Sequence, residues 1–450
     1  MNDFEIIESS ILLVNKCIEN NNDSAYHNVA DRYLPIGPQT LKDHKLDWNR
    51  INKVVIEDLF EISMVNQNKD TLRKEILTSL KSNRDTRELV DVIDELYLSS
   101  NAINSITPLS YLVTNEESIS ARTKTMVSIF KGLIVQPLKV KPHLNGNNPL
   151  ESLLIQNIYL QCEKKPFDTN RNGYLPFLAN VFSSDLMILC KSSSYFLNEI
   201  EKFLKIYSFI YLTQLTIHLC KPSNRFEKPS PKQLYFILET EKASRDRHEC
   251  KEFGYDQIFS KTTGLAQSIF PILGYFNRIS EMPSWDIIKN DDNNFLCKVN
   301  EFNKLLAYLF GEEYNDVSSL KEALNKGASF QKQIFEETLR NSKKSSRKTA
   351  NNKVIDIFEK IFSAGFITDR KAAGKYFVLN STNLMLMTNL VIGSSGEDKL
   401  LIDDVIDGFK QRGIWLDIKS KKALLKFYEN VGNIEKLSDS GDAVYVKTTI

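Results

Sequence analysis

One long segment of the sequence most limits how this chain can fold. Residues 193–220 keep apolar side chains on several faces of a helix over many turns, and Pro222 cannot continue that helix. Lys205, Gln214 and His218 interrupt the segment and make it too polar for a clean membrane span. A helix that is apolar on several faces has to be surrounded by other elements. We therefore predict a buried helix at the centre of the main domain.

Helical periodicity predicts that residues 1–340 form a mainly α-helical body. In the first helix, apolar side chains recur every three or four residues from Phe4 to Ile18. The same spacing predicts further helices over residues 48–66, 71–82, 86–99, 265–279, 295–310, 319–324 and 330–339. The run LYFILE at residues 234–239 is short, apolar and aromatic, as is typical of a buried strand. The predicted fold class is thus mainly α, a multi-helical body with a short strand element.

The overall charge of the chain gives no long-range attraction to nucleic acid or to an acidic membrane. The 450 residues carry 58 Lys plus Arg against 57 Asp plus Glu, a formal charge of +1. Any contact with DNA must therefore depend on a local basic patch.

The start of the chain and the cysteines indicate a cytoplasmic protein. The first ten residues, MNDFEIIESS, lack the basic start, apolar core and cleavage site of a secretory signal. The six cysteines include no CxxC pair, which fits reduced thiols in a reducing compartment. We expect neither disulfides nor membrane association.

A basic, polar segment at residues 341–353, NSKKSSRKTANNK, marks a predicted domain boundary. It contains five basic residues and no acid, and it is too polar to bury enough surface to order itself. The prediction is a flexible linker. Four of its basic side chains are candidate contacts for DNA phosphates, namely Lys343, Lys344, Arg347 and Lys348. A solvated hinge without a ligand explains the same composition.

Residues 354–450 follow the order of elements found in a winged helix. A helix (354–363) and a hairpin (366–380) are followed by a first helix (384–391), an extended link (399–401), a second helix (402–411) and a third (418–430). Two short strands, 434–437 and 443–447, then flank a turn. We predict a C-terminal winged-helix-like domain.

In a DNA-binding winged helix the third helix enters the major groove. Here the start of that helix carries Lys419, Lys421 and Lys422, with Lys426 one turn on, and these side chains could hold phosphates. The wing carries Asp439 and Asp442 at its tip, which would repel phosphates, and no arginine is placed to bind guanine through two hydrogen bonds. Protein contact is therefore an equal alternative to DNA binding.

Two arrangements suggest metal sites and have simpler explanations. Residues 168–173 match the first half of a calcium-binding EF-hand loop, but the twelfth position is Ala179 instead of a glutamate, which favours a polar turn. Two His-x-Cys pairs supply the ligand types of a zinc site, namely His218 with Cys220 and His248 with Cys250. Residues two apart on a helix point in different directions, which favours buried, hydrogen-bonded side chains.

Catalytic motifs are few. Glu239, Glu241 and Lys242 follow the predicted strand, as carboxylates and a lysine do in metal-dependent nucleases, but the spacing is not acid, any residue, lysine. The sequence has neither a GxxxxGK[ST] phosphate loop nor a GxSxG elbow. We assign no catalytic residue and expect no cofactor or metal.

Two stretches, residues 234–259 and 413–447, resemble the DptG (DndG) family of phosphorothioate-dependent DNA restriction. The tail carries most of the resemblance, in Arg412-Gly413-Ile414, in SDSGDA at residues 438–443 and in Tyr445-Val446-Lys447. The central stretch adds Ser244-Arg245 after the strand.

This resemblance implies an assembly or DNA-engaging subunit that acts beside two larger ATPase-like partners, DptF and DptH. Such a complex damages DNA that lacks the sulfur-modified backbone, and the ATP-driven and cleavage steps lie in the partners. Two alternatives remain, namely a metal-dependent nuclease component of the same type of system and a winged-helix transcription regulator. A regulator of this kind normally needs a dimer to span two half-sites of double-stranded DNA.

Overall fold

The predicted central helix is present with the predicted bounds, Ser193–Cys220. Ser192 caps its start by accepting a hydrogen bond from the backbone N–H of Tyr195, and nearly all of its second half is buried. The structure is a computed structural model that describes residues 3–65, 69–82, 90–100, 102–113, 119–169, 171, 173–242, 247–290, 292–336, 346–436 and 444–449. The chain is mainly helical, with 63% helix and 7% strand, which confirms the predicted class.

The α-helices are α1 (Asp3–Glu19), α2 (Trp48–Phe60), α3 (Lys69–Ser82), α4 (Val90–Ile93), α5 (Ala121–Leu133), α6 (Pro149–Leu160), α7 (Pro176–Leu189), α8 (Ser193–Cys220), α9 (His248–Cys250), α10 (Asp256–Phe259), α11 (Ala266–Ile279), α12 (Ser284–Ile287), α13 (Asn293–Leu309), α14 (Leu320–Glu336), α15 (Ser346–Ile357), α16 (Ser381–Ser395), α17 (Ile402–Gln411) and α18 (Ile418–Val431). Short 3₁₀ or π segments lie at Asp23–Ala25, Asp94–Ser99, Ala102–Ser105, Pro108–Val113, Lys251–Tyr255, Phe358–Phe362 and Lys371–Ala373.

The strands are β1 (Ile62–Met64), β2 (Cys162–Lys164), β3 (Tyr235–Leu238), β4 (Ile367–Asp369), β5 (Lys375–Leu379), β6 (Lys399–Leu401), β7 (Trp415–Leu416), β8 (Ile434–Lys436) and β9 (Val444–Lys447). They form an antiparallel pair β1-β2, a four-stranded sheet β4-β5-β3-β7 and a three-stranded antiparallel sheet β6-β9-β8.

Helix α8 is the centre of a hydrophobic core that extends from Ile7 to Val446. Helices α7, α11 and α16 pack against it. Phe209 of α8 stacks on Phe366 at 4.5 Å between ring centroids and meets Phe377 of β5 edge-on at 5.2 Å. No helix in the described ranges has the length and apolar character needed to cross a membrane.

The four-stranded sheet joins residues from both sides of the predicted linker. Strand β3, the predicted strand of the body, lies between β5 and β7 and runs parallel to both. Ile237 is opposite Val378, and Phe236 is opposite Leu416. The body and the C-terminal hundred residues therefore share one sheet as well as one core.

A buried ion pair fastens the C-terminal region to the central helices. Arg412, just after α17, donates from Nε to Asp185 Oδ2 of α7 at 2.8 Å and forms a second bond through Nη2. Tyr207 of α8 donates its hydroxyl to the same carboxylate. Burial opposes the charge on Arg412, yet Asp185 outweighs this effect and raises the pKa of Arg412. The pair thus keeps its charges inside the core.

Several local predictions need correction. The helix predicted at 48–66 ends at Phe60, because Glu61 adopts a left-handed conformation (φ 54°) and β1 follows. The helices predicted at 319–324 and 330–339 are one continuous helix as far as Glu336. The helix predicted at 86–99 appears from Val90 onwards as α4 and a π segment.

The predicted linker at 341–353 is partly helical. Helix α15 begins at Ser346 and buries Asn351 and Val354, and the Asn351 side chain donates to the backbone oxygen of Gln267 at 2.7 Å. Tertiary packing thus orders a segment whose composition alone predicts flexibility. Residues 341–345 lie outside the described residues.

Candidate nucleic-acid interface

The third helix of the C-terminal region, α18, is held at its first turn by its own cap. Asp417 follows β7 and accepts a hydrogen bond from the backbone N–H of Ser420 at 2.7 Å. The Ser420 hydroxyl is buried and donates to the backbone oxygen of Phe236 in β3 at 3.3 Å. The start of α18 is therefore fixed to the central sheet.

A buried arginine reinforces this attachment. Arg247 donates from Nε to Asp417 Oδ2 at 2.8 Å and forms further bonds with Asp417 and with Glu241. It also donates to Ser420 Oγ at 2.5 Å. Burial alone would raise the pKa of Asp417, but the hydrogen bonds from Arg247 outweigh it and lower that pKa. Arg247 is thus a charged link between the end of β3 and the start of α18.

This anchoring leaves a row of lysines exposed on α18. Lys419, Lys422 and Lys426 are exposed, and their spacing of three and four residues places them on one face of the helix. Ser420, Leu424 and Tyr428 are buried on the opposite side. At the start of the same helix, Lys421 is half-buried and Ile418 is 73% exposed. We call Lys419, Lys422 and Lys426 the lysine row.

The basic residues predicted in the linker lie elsewhere. Arg347 and Lys348 are in the first turn of α15, which packs against α11 and α14, whereas α18 packs on β3 and β7. The Arg347 guanidinium pairs with Asp23 at 3.2 Å and lies 5.1 Å from the ring centroid of Phe310. Lys343 and Lys344 are outside the described part of the chain. The basic residues described in α15 and the lysines of α18 therefore pack against different elements, and these contacts do not place them on one surface.

The two His-x-Cys pairs have separate surroundings. His218 Nε2 lies 2.7 Å from the backbone oxygen of Ser230, and burial lowers the pKa of His218 to about 4. Burial raises the pKa of Cys220 to about 12, which keeps its thiol protonated. Cys250 Sγ donates to Asp417 at 3.3 Å, and His248 is exposed. Across the residues that the structure describes, no three potential His, Cys, Asp or Glu ligands are grouped for a metal ion.

The acidic residues after β3 have different environments. Glu241 accepts the backbone N–H of Leu238 at 2.7 Å and pairs with Arg247, so both of its oxygens are engaged. Glu239 and Lys242 are exposed. Glu241 is thus a positioning residue for α18 in this arrangement and has no oxygen left for a metal ion.

Sequence reasoning missed Arg247 and its partners. Asp417, the cap of α18, is 170 residues from Arg247 along the chain, so no local pattern joins the two. Only the resemblance to DptG drew attention to Arg412, whose role in the core it did not reveal. Ser244 and Arg245, and most of the predicted wing at 437–443, lie outside the described residues.

Comparison with known proteins assigns no relative to this arrangement: no protein-family model matches the chain, and no curated protein matches it.

Replacing Arg247 with alanine should strongly destabilise the fold, because it leaves Asp417 and Glu241 buried without a counter-charge. We expect a loss of about 3–5 kcal/mol in the free energy of unfolding, measured by urea denaturation. Arg73→Ala is the matched control, since Arg73 also binds an aspartate, Asp94, through two nitrogens but in an exposed position. Equal losses in the two variants would contradict a buried anchoring role for Arg247.

Proposed function

We propose that this chain is a DNA-engaging and assembly subunit of a phosphorothioate-dependent DNA restriction complex, and that its C-terminal region is a winged-helix module. The elements α16, β6, α17, α18, β8 and β9 follow in the order helix, strand, helix, helix, hairpin. In their sheet β9 lies between β6 and β8, as the hairpin of a winged helix requires. The observation that carries the proposal is the exposed lysine row on the third helix of this module.

The lysine row suits the phosphates of duplex DNA. From Lys419 to Lys426 the helix advances by about 10 Å, at 1.5 Å per residue, which is about three base pairs of duplex at 3.4 Å each. Asp417 and Ser420 face the central sheet, so α18 offers its flank to a ligand. Lysines on a flank bind phosphates as point charges and carry no sequence information. We therefore propose salt-sensitive binding that is independent of sequence.

The assembly part of the proposal depends on the resemblance to DptG. The residues that carry it have structural roles here: Arg412 binds Asp185, and Tyr445, Val446 and Lys447 form strand β9. Gly413 has a φ of +82°, and a β-carbon there would lie 2.8 Å from Gln214 Nε2 of α8. The residues that carry the resemblance therefore shape the fold of this region. On the basis of this resemblance, we propose DptF- and DptH-like subunits as the partners.

The DNA part is tested by changing Lys419, Lys422 and Lys426 together to glutamine. Loss of three phosphate contacts should weaken binding to a 20-base-pair duplex of any sequence. The negative slope of log affinity against log salt should become less steep by about 3. Fluorescence anisotropy between 50 and 200 mM salt measures both quantities.

The control variant changes Lys289, Lys304 and Lys326 to glutamine, which removes the same charge from exposed sites outside α18. It should keep most of the affinity and the slope. If the two triple variants lose affinity equally, general charge and not the lysine row explains the binding.

The assembly part is tested by affinity purification of the tagged full chain from its native cells, followed by mass spectrometry. We expect two large ATPase-like proteins to co-purify and to remain after nuclease treatment, because protein contacts hold them. Recovery of the chain alone, or of proteins that nuclease releases, would contradict an assembly role. A catalytically inactive nuclease is the control for the treatment.

A further inference from the structure

A large open cleft lies away from the contacts that anchor α18. Its volume is about 1180 Å³, and its walls come from the loop after α1, the end of α13, the end of α14 and the starts of α5 and α15. Small-molecule pockets commonly measure about 300–1,000 Å³, so this cleft suits an extended ligand. Its floor is aromatic, with Phe310 and Tyr26 edge-on at 6.2 Å and Phe270 and Phe335 edge-on at 5.7 Å.

Two arginines face this cleft, and each is paired with an exposed aspartate. Arg122 binds Asp31 at 2.5 Å, and Arg347 binds Asp23 at 3.2 Å. The aspartate side chains are 64% and 54% exposed, whereas the arginines are only 13% and 16% exposed. Ion pairs with exposed carboxylates of this kind contribute little to stability, and the carboxylates can rotate away into the solvent. A phosphodiester, which accepts two hydrogen bonds from one guanidinium, can then take their place.

One aromatic ring of the cleft is left largely in solvent. Tyr308, in the last turn of α13, lines the cleft with 69% of its surface exposed. The buried rings of the floor pack on one another, so Tyr308, like the exposed imidazole of His27 in the cleft wall, is available for stacking on a ligand. A nucleobase stacked on such a ring contributes substantially to binding, whatever its identity.

We infer that this cleft binds single-stranded DNA, with a base stacked on Tyr308 and the backbone phosphates held by Arg122 and Arg347. Exposed aromatic rings combined with arginines along an open groove are the features that bind unpaired strands. The choice of DNA as the nucleic acid rests on the proposed function. The site itself does not rest on the proposed function, because it shares no residue with the lysine row.

The test uses the full chain and a fluorescein-labelled twelve-residue oligothymidylate, followed by anisotropy. Tyr308→Ala should weaken binding about fivefold or more, and Tyr308→Phe should keep the affinity because it keeps the stacking ring. Since Tyr308 is exposed, neither variant should unfold the protein. Asp23→Asn should strengthen binding severalfold, because it removes the negative charge that competes with a phosphate for Arg347, and a gain of this kind cannot come from unfolding.

The outcomes separate this site from the proposed duplex site. When Tyr308→Ala is added to the Lys419, Lys422 and Lys426 triple variant, it should again weaken oligothymidylate binding about fivefold. In the otherwise unaltered chain, Tyr308→Ala should leave the affinity for duplex DNA unchanged. If the lysine variant keeps its duplex affinity while Tyr308→Ala loses oligothymidylate, the cleft assignment stands and the α18 assignment fails. No binding of oligothymidylate, or equal affinity in Tyr308→Ala and the unaltered chain, would overturn the cleft assignment.

Discussion

The buried pair between Arg412 and Asp185 is the interaction on which the arrangement of this chain depends. Its two residues are 227 positions apart, and both are essentially inaccessible to solvent. Removing such charges from water costs desolvation free energy, and the contacts inside the protein must offset that cost. They do so with two bonds from the guanidinium to the carboxylate, a third from Nη1 to the backbone oxygen of Gly408 at 2.9 Å, and the hydroxyl of Tyr207 on the same carboxylate.

A second buried arginine continues this attachment a few residues later. Arg412 fixes the chain to α7 and α8, Trp415 and Leu416 pair with β3, and Asp417 binds Arg247. Three successive contacts therefore hold residues 412–417 and determine how α18 leaves the sheet. Because the first turn of α18 is fixed, the lysine row keeps a constant position relative to the body. This fixed presentation of positive charge supports the DNA-engaging role that we propose.

Elements whose signals are local could be predicted from the sequence. The bounds of α8 follow from its continuous apolar faces and the proline after it, and β3 follows from its short aromatic run. The order of the C-terminal elements was predicted for the same reason, since the caps at Asp417 and Gly432 are local. Four lysines of α18 were predicted as candidate phosphate contacts; three of them lie on its exposed face, and helical geometry turns Lys421 away from these three.

Features that depend on distant partners could not be predicted. A buried arginine looks like an exposed one in sequence, because what distinguishes it is a carboxylate far along the chain. Arg247 and Arg412 are both of this kind. The same limit explains the linker: its composition predicts flexibility, but Asn351 bonds to Gln267 and Val354 enters the core. The cleft is formed by six separate segments, including Phe270 of α11, and no local pattern marks Tyr308.

If the buried pair couples the C-terminal region to the helical body, the two unfold as one cooperative unit through Arg412. Native-state hydrogen exchange at increasing urea measures this coupling, with α8 and α17 compared in the unaltered chain and in Arg412→Ala. Amides of the two helices should exchange through one opening of equal free energy, and the substitution should lower this free energy in both. Exchange of α17 at a much lower free energy, with α8 unaffected by Arg412→Ala, would contradict this coupling.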